Sequence, residues 1–451
     1  MKPRNELTEK FYRLYRENLP AIESVSASLL NRSREEAIEK FMQSGIPTRK
    51  TEAYRYTPLE TYFGYEYHNY IPASTDFERA RGFKCDVEDL DCYSIILHNG
   101  YFPESGVKHI TLPGNIWLGS LNEAAEKFKS VVENHLGKYS GREDDGLIHL
   151  NTAMSPGGLF VHIPAGIMVE KPVQIINLVD SEQDIFNQKR NLIIVEPGSS
   201  ITLIVCDHTI SLNRFLTNTV TEVYVGENSH FNIIRVQNEH NNSFKITGTF
   251  IYQEKNSVVS SNNITLHGGM VRNNTYHYLA GEGAQCSSYG LYLADKMQHV
   301  DNYVNVEHLA PGCTSNQLFK GVLDEMARGV FNGRIYVEKG AQGTSAYQKN
   351  NSIILTDDAR MYTRPHLEIF ADDVKCSHGA TVGQLDEDAM FYLQSRGINK
   401  NEAKLMLMAA FADEVIQKIN IGPLRQRIIG LVIKRLRGEL SRCAFCVVKC
   451  N

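Results

Sequence analysis

The sequence has no apolar run approaching the roughly 18 residues that a membrane-crossing helix requires, so no membrane partner is expected. It has no extended Lys/Arg block, and 47 basic against 52 acidic residues leave a net charge of −5. Binding to nucleic acid or to an anionic surface therefore lacks electrostatic support. The opening stretch MKPRNELTEKFYRLYRENLP mixes charges and contains no apolar h-region, so no export signal is expected. Nine cysteines, an odd number scattered without an export signal, read as reduced thiols in a cytoplasmic protein. Enzyme signatures are also missing. Without a G-x-x-x-x-G-K-S/T phosphate loop the chain is not expected to hydrolyse ATP. There is no G-x-S-x-G elbow, so His267-Gly-Gly reads as a turn rather than an oxyanion loop. No H-E-x-x-H pair and no paired C-x-x-C knuckle are present.

What is present divides the 451 residues into three regions. Residues 1–150 read as helical with short strands, 151–385 as a β-helix core, and 386–451 as a C-terminal helical domain with a cysteine-bearing tail. In the first region Leu7, Phe11, Leu14 and Tyr15 share one helical face, and Ser33 with Glu36 spells a capping box. PTRKTEAYRYTPL, from Pro47, reads as a polar connector. A strand is expected around Ser94–Leu97 and a helix from about Leu121 to Leu136, with Gly137 as its stop.

From about Leu159 the period changes to that of strands: FVHI, VQIINLV, NLIIVE, SITLIV, TEVYV, FNIIRV, KITGTFIY. Between them recur small turns whose Gly or Asn falls at 198, 228, 256, 283, 312 and 340, spaced by 30, 28, 27, 29 and 28 residues. Gly and Asn tolerate the left-handed backbone that such turns use. A repeat of this length built from strands and tight turns means a solenoid or a propeller, and propeller blades need about 40 residues or more. A parallel β-helix fits, with successive coils pairing their backbones and helices capping the ends.

Residues 365–398 carry the chemistry. A strand is expected at Leu367–Phe370, then Cys376 and His378 two apart, then a helix opening on Asp386, Glu387 and Asp388 and stopping at Gly397. Two apart on a strand places thiol and imidazole on one face, and both suit iron. The plainer reading is a structural cysteine beside a satisfied histidine. Asn399 with Glu402 starts a further helix whose face carries Leu405, Met408, Phe411, Ala412, Val415, Ile416 and Ile419. That stripe reads first as core packing and second as a partner dock. Cys443, Cys446 and Cys450 form a C-x-x-C-x-x-x-C tail lacking a fourth local ligand. Eight histidines, at 162, 208, 230, 240, 267, 277, 299 and 308, show no metal-ligand spacing and read as solenoid-face residues.

Three long segments resemble the SufB/SufD family of iron–sulfur cluster assembly proteins: HVDNYVNVEHLAPGCTS, KGVLDEMARGVFNGRIYVEKGAQGTSAYQKNNSIILTDDAR and PHLEIFADDVKCSHGATVGQLDEDAMFYLQSRGI. The connector resembles an early family motif with Tyr54 where Trp is usual, and LNTAMSPGGLFVHIPAGI resembles the start of the family's core. CSHGATVG favours the SufD branch over the SufB branch. The resemblance implies a right-handed parallel β-helix flanked by helices, and a scaffold rather than an enzyme. It implies pairing with a SufB-like subunit through the β-helix ends and docking of a SufC-like ATPase by the C-terminal helices. It also implies that the chain supports the admission of iron, with no cofactor held stably by the isolated chain and iron or an Fe–S cluster present transiently in the complex. His378 is then expected at the subunit interface, with Cys376 carried over less firmly. Met390, Phe391, Tyr392, Leu405, Met408, Phe411 and Val415 are the expected ATPase-docking residues. Two other readings stand beside this one: an exported-type β-helix carbohydrate-active enzyme, and a structural β-helix that forms only a homodimer.

Overall fold

The structure, a computed structural model, describes residues 6–72, 83, 87, 89–102 and 109–439. The tail cysteines Cys443, Cys446 and Cys450 lie outside them. The chain is mainly β. From Val173 onward, strands go alternately to two sheets, and each pairs in parallel with the strand one coil earlier and one coil later. One sheet has eleven strands and the other nine, making a parallel β-solenoid of about eight coils. The strand Tyr93–His98 already belongs to the nine-stranded sheet, and His109–Leu112 and Ile116–Ser120 add antiparallel strands to the other. No described helix is long and apolar enough to cross a membrane.

Strict register stacks like on like. Ile201, Phe231, Val259 and Cys286 form one inward column and Leu203 and Ile233 begin the next, all within the interior core. Each such fully buried Ile or Phe contributes about 1.5–3 kcal/mol relative to exposure.

The turn column exists, with one correction. Gly166, Gly198, Asn228, Asn256, Gly283, Gly312 and Gly343 all have positive φ, between 53° and 73°. Gly340 does not take part, and Gly343 takes its place. The last turn of the series runs longer, Glu338 to Gly343, so the left-handed position slips three residues. The column is hydrogen-bonded from turn to turn. Gly198 N–H donates to Glu227 O at 2.8 Å, Asn228 to Lys255 O at 2.9 Å, Gly312 to Gln342 O at 2.8 Å and Gly343 to Asp373 O at 2.7 Å.

Helices cover both outer faces. Glu6–Val25, Arg34–Ser44 and Gly146–Met154 bury Phe11, Tyr15, Phe41 and Leu150 against Phe186, Leu216, Phe244 and Met270 of the eleven-stranded sheet. Lys400–Ile416 and Gly422–Leu436 cover the nine-stranded sheet. Three local expectations change. The helix expected over 121–136 is two helices, Leu121–Lys127 and Lys129–His135, broken at Phe128. There the Phe128 ring packs edge-on to Trp117 and tilted against Phe160. Ser33 makes no capping bond, because a short helix, Ser28–Asn31, leads almost directly into Arg34–Ser44. The strand expected at Leu367–Phe370 runs Arg360–Ile369.

The connector is a docked strap rather than a free linker. Thr57 is fully buried and hydrogen-bonds His299 Nε2 at 2.9 Å and Asp301. Arg272 pairs with Asp301, donates to Ala53 O at 2.9 Å, and lies 3.8 Å over the Tyr54 ring. Tyr54 donates to Asp145 at 2.5 Å. Farther along the sheet Tyr56 stacks on Tyr362 at 4.3 Å and Glu52 pairs with Arg364 at 2.7 Å.

Candidate functional site at the open end of the solenoid

The two sheets finish together, in Arg360–Ile369 and Val374–Gly383, strands of ten residues each with no strand beyond them among the described residues. Their outward edges present unpaired backbone groups, the condition under which a sheet accepts a further strand. Apolar side chains accompany the edges: Ile369, Phe370 and Val382 are exposed, Phe370 by 59%.

Cys376 and His378 lie on the last strand and extend the two inward columns. Cys376 pairs in register with Ala346, and His378 with Gln348. The Cys376 column runs back through Ala346, Ser315 and Cys286. The His378 column runs back through Gln348, Gln317, Ser288 and Ser261. The spacing expectation of a shared face is met. The two side chains nevertheless differ. Cys376 is half-buried and packs with Leu367 and Val374 against Ala346 and Ala371. Burial pushes its thiol pKa up, partly offset by a hydrogen bond from the Ala346 backbone, so the protonated thiol is favoured over the thiolate that binds metal. His378 is exposed and makes no hydrogen bond or ion pair among the described residues.

Beneath His378 the column is polar and incompletely satisfied. Gln348 Nε2 donates to Gln317 Oε1 at 2.9 Å, and Ser261 Oγ to Ser288 Oγ at 3.1 Å. Gln348 Oε1 and Asn350 Oδ1 are buried without a hydrogen-bond partner. Buried acceptors seldom stay unpaired. Sequence reading missed Gln348; counting one coil back from His378 would have found it. No group of three or more His, Cys, Asp or Glu among the described residues is placed to hold a metal ion, so any ligand set including His378 needs groups from outside this set.

The residues expected to dock an ATPase separate into two groups. Leu405, Met408 and Val415 are buried, Met408 and Val415 in the core shared with the nine-stranded sheet and the last helix, so they are core rather than free surface. Phe411 is half-buried beneath Lys320 Nζ, 4.3 Å from its ring. Phe391 and Tyr392, on Glu387–Ser395, are 74% and 57% exposed, and Met390 is half-buried. That helix buries none of its residues. It begins with Asp386 accepting from Ala389 N–H, and ends before Gly397 with φ +88°. The next helix is capped by Asn399, which accepts from Glu402 N–H.

Comparison with known proteins agrees with this architecture. Residues 177–411 match the model described as "SUF system FeS cluster assembly, SufBD core domain", and residues 5–175 match the SufBD protein N-terminal region. An iron–sulfur cluster assembly SufBD family protein of Synechocystis is 31% identical over 89% of this chain and 90% of its own length. The iron–sulfur cluster assembly protein SufD of Escherichia coli is 27% identical over 89% of this chain and 92% of its own. SufB of Bacillus subtilis is 26% identical over 66% of this chain and 64% of its own. With core and N-terminal regions both matched, and a SufD aligned along nearly its whole length, the chain belongs to the SufBD family and is a SufD-like iron–sulfur cluster assembly protein.

Proposed function

We propose that this chain is a non-catalytic scaffold subunit that joins a SufB-like solenoid end to end and presents Glu387–Ser395 to a SufC-like ATPase, supporting the admission of iron. The observation that carries the reading is the open end. Two ten-residue edge strands stop at the same level, with an unpaired histidine in the inward register and orphaned acceptors below it. A second solenoid laid on this end would continue both sheets. It would also bring its own side chains to His378. A neutral imidazole can ligate a metal through a ring nitrogen. Iron or a nascent cluster is cargo in this arrangement, held between chains and not by this chain alone.

The test is co-expression with SufB-like and SufC-like partners. His378→Ala leaves the solenoid folded and the complex assembled, and lowers iron and cluster content after anaerobic reconstitution at least several-fold. Full cluster content in the mutant complex rejects the role of His378. A chain that assembles only with itself through this end, and not with a SufB-like partner, replaces the reading with that of a homodimer.

A further inference from the structure

The solenoid interior has polar as well as apolar columns, and in the N-terminal coils it also holds charge. There a cavity of about 50 Å³ is lined by Lys189, Arg235, Lys245, Asp207, Asn191 and Thr219, among others. The four charged side chains belong to residues no more than 8% exposed. A cavity of this size exceeds the roughly 10–15 Å³ that one water needs and is too small for a large organic ligand.

The charges inside do not cancel. Lys245 Nζ is 2.9 Å from Asp207 and 2.9 Å from Glu239. Asp207 also accepts from Asn177 at 3.0 Å and Glu239 from Ser243 at 3.1 Å. Both carboxylates are thus engaged by other groups. The side chains of Lys189 and Arg235 make no direct hydrogen bond or ion pair among the described residues and feel Asp207 only at longer range. Three cations against two carboxylates leave one positive charge unbalanced. Burial, and next to it the Lys245 charge, push Lys189 down to about 8, which still leaves it largely protonated at neutral pH. A buried cation without a partner is costly, and water can hydrogen-bond to it but cannot neutralise it.

The backbone has been shaped around Lys189. Gly100, at φ +91°, lies so close that a Cβ there would fall 2.2 Å from Lys189 Cδ. Thr219 and Thr247 continue the Lys189 column and Thr221 the Asn191 column, so hydroxyl and amide groups alternate with the cations around the space.

We propose that this cavity, which Lys189 and Arg235 both line, is a binding site for one small inorganic monoanion of halide size. One negative charge balances the interior, whereas a divalent anion would overshoot it.

The test uses the full chain with bromide as the probe. Thermal unfolding is followed at constant ionic strength while gluconate, too large for the cavity, is replaced by bromide. A site predicts a saturable rise in Tm with bromide. In Lys189→Met and Arg235→Met the saturable part disappears. Crystals grown in bromide show an anomalous peak inside the cavity that Lys189 and Arg235 line. An unchanged bromide response in Lys189→Met, or no anomalous density there in the wild-type protein, overturns the proposal. Should either variant fail to fold, the wild-type crystal decides.

Discussion

Two neighbouring side chains of opposite character occupy the end of the solenoid, and their difference comes from two residues of strand. Cys376 closes an apolar column, so it packs and keeps its proton, whereas His378 closes a polar one and is exposed at the open end. Cys376→Ser is accordingly expected to cost about 1 kcal/mol through the buried hydroxyl, read from a denaturant midpoint. It is also expected to leave the iron content of the assembled complex within twofold of wild type. A large loss of iron would move Cys376 into the ligand set. The turn column offers a second contrast. Gly343 has φ +72°, and its Cβ would stand 3.7 Å from Gly312 Cα. Gly340 has open space around it and no positive φ. Gly343→Val should destabilise the fold by about 1 kcal/mol or more, and Gly340→Val should stay within about 0.5 kcal/mol of wild type in the same urea titration.

At the level of elements, the Glu387–Ser395 helix stands apart because it packs mainly on its neighbouring helix and buries nothing itself. Phe391→Asp should therefore leave the unfolding midpoint unchanged within error and reduce retention of a SufC-like ATPase in pull-down. Equal retention would place the dock elsewhere. The helix starts and stops were readable, because Asp386, Asn399 and Gly397 act through local backbone geometry. Most of the turn column was readable for the same reason: a left-handed position favours Gly or Asn, although Lys296 and Glu325 occupy it in two other turns. The fate of the Leu405–Val415 stripe was not, since an apolar face says that it will be covered but not by what. Nor was the interior placement of Lys189, Arg235 and Lys245. Each looks like a surface residue until the register of neighbouring coils assigns its strand face.

For the whole molecule, three of the histidines expected on solenoid faces are buried constraints on pH. His277 and His308 point into the interior and His299 lies under the strap, and all three are fully or almost fully buried. Burial pushes His277 and His299 down to about 3 and His308 to about 4. The unfolded chain protonates them at about 6.5, so it binds more protons than the folded one between these values. Their contribution is present above about pH 6.5 and is lost as pH falls towards the folded values. Each is expected to cost about 2 kcal/mol of stability between pH 7 and pH 5. His277→Gln should flatten the pH dependence of the denaturation midpoint by that amount, and an unchanged slope would mean that the ring is protonated while folded.

The strap changes how such a stack comes apart. In a bare solenoid each coil is held only by its neighbours, so an uncapped end peels one repeat at a time. Here the segment from Glu52 to Thr57 is bonded to Arg272, His299 and Asp301 at one point and to Tyr362 and Arg364 of the edge strand at another. It works as a splint laid across the rungs, so that fraying of the exposed terminal coil also breaks the Tyr56–Tyr362 stack and the Glu52–Arg364 ion pair. An end whose two edge strands lie open is thereby tied back to the coils behind it.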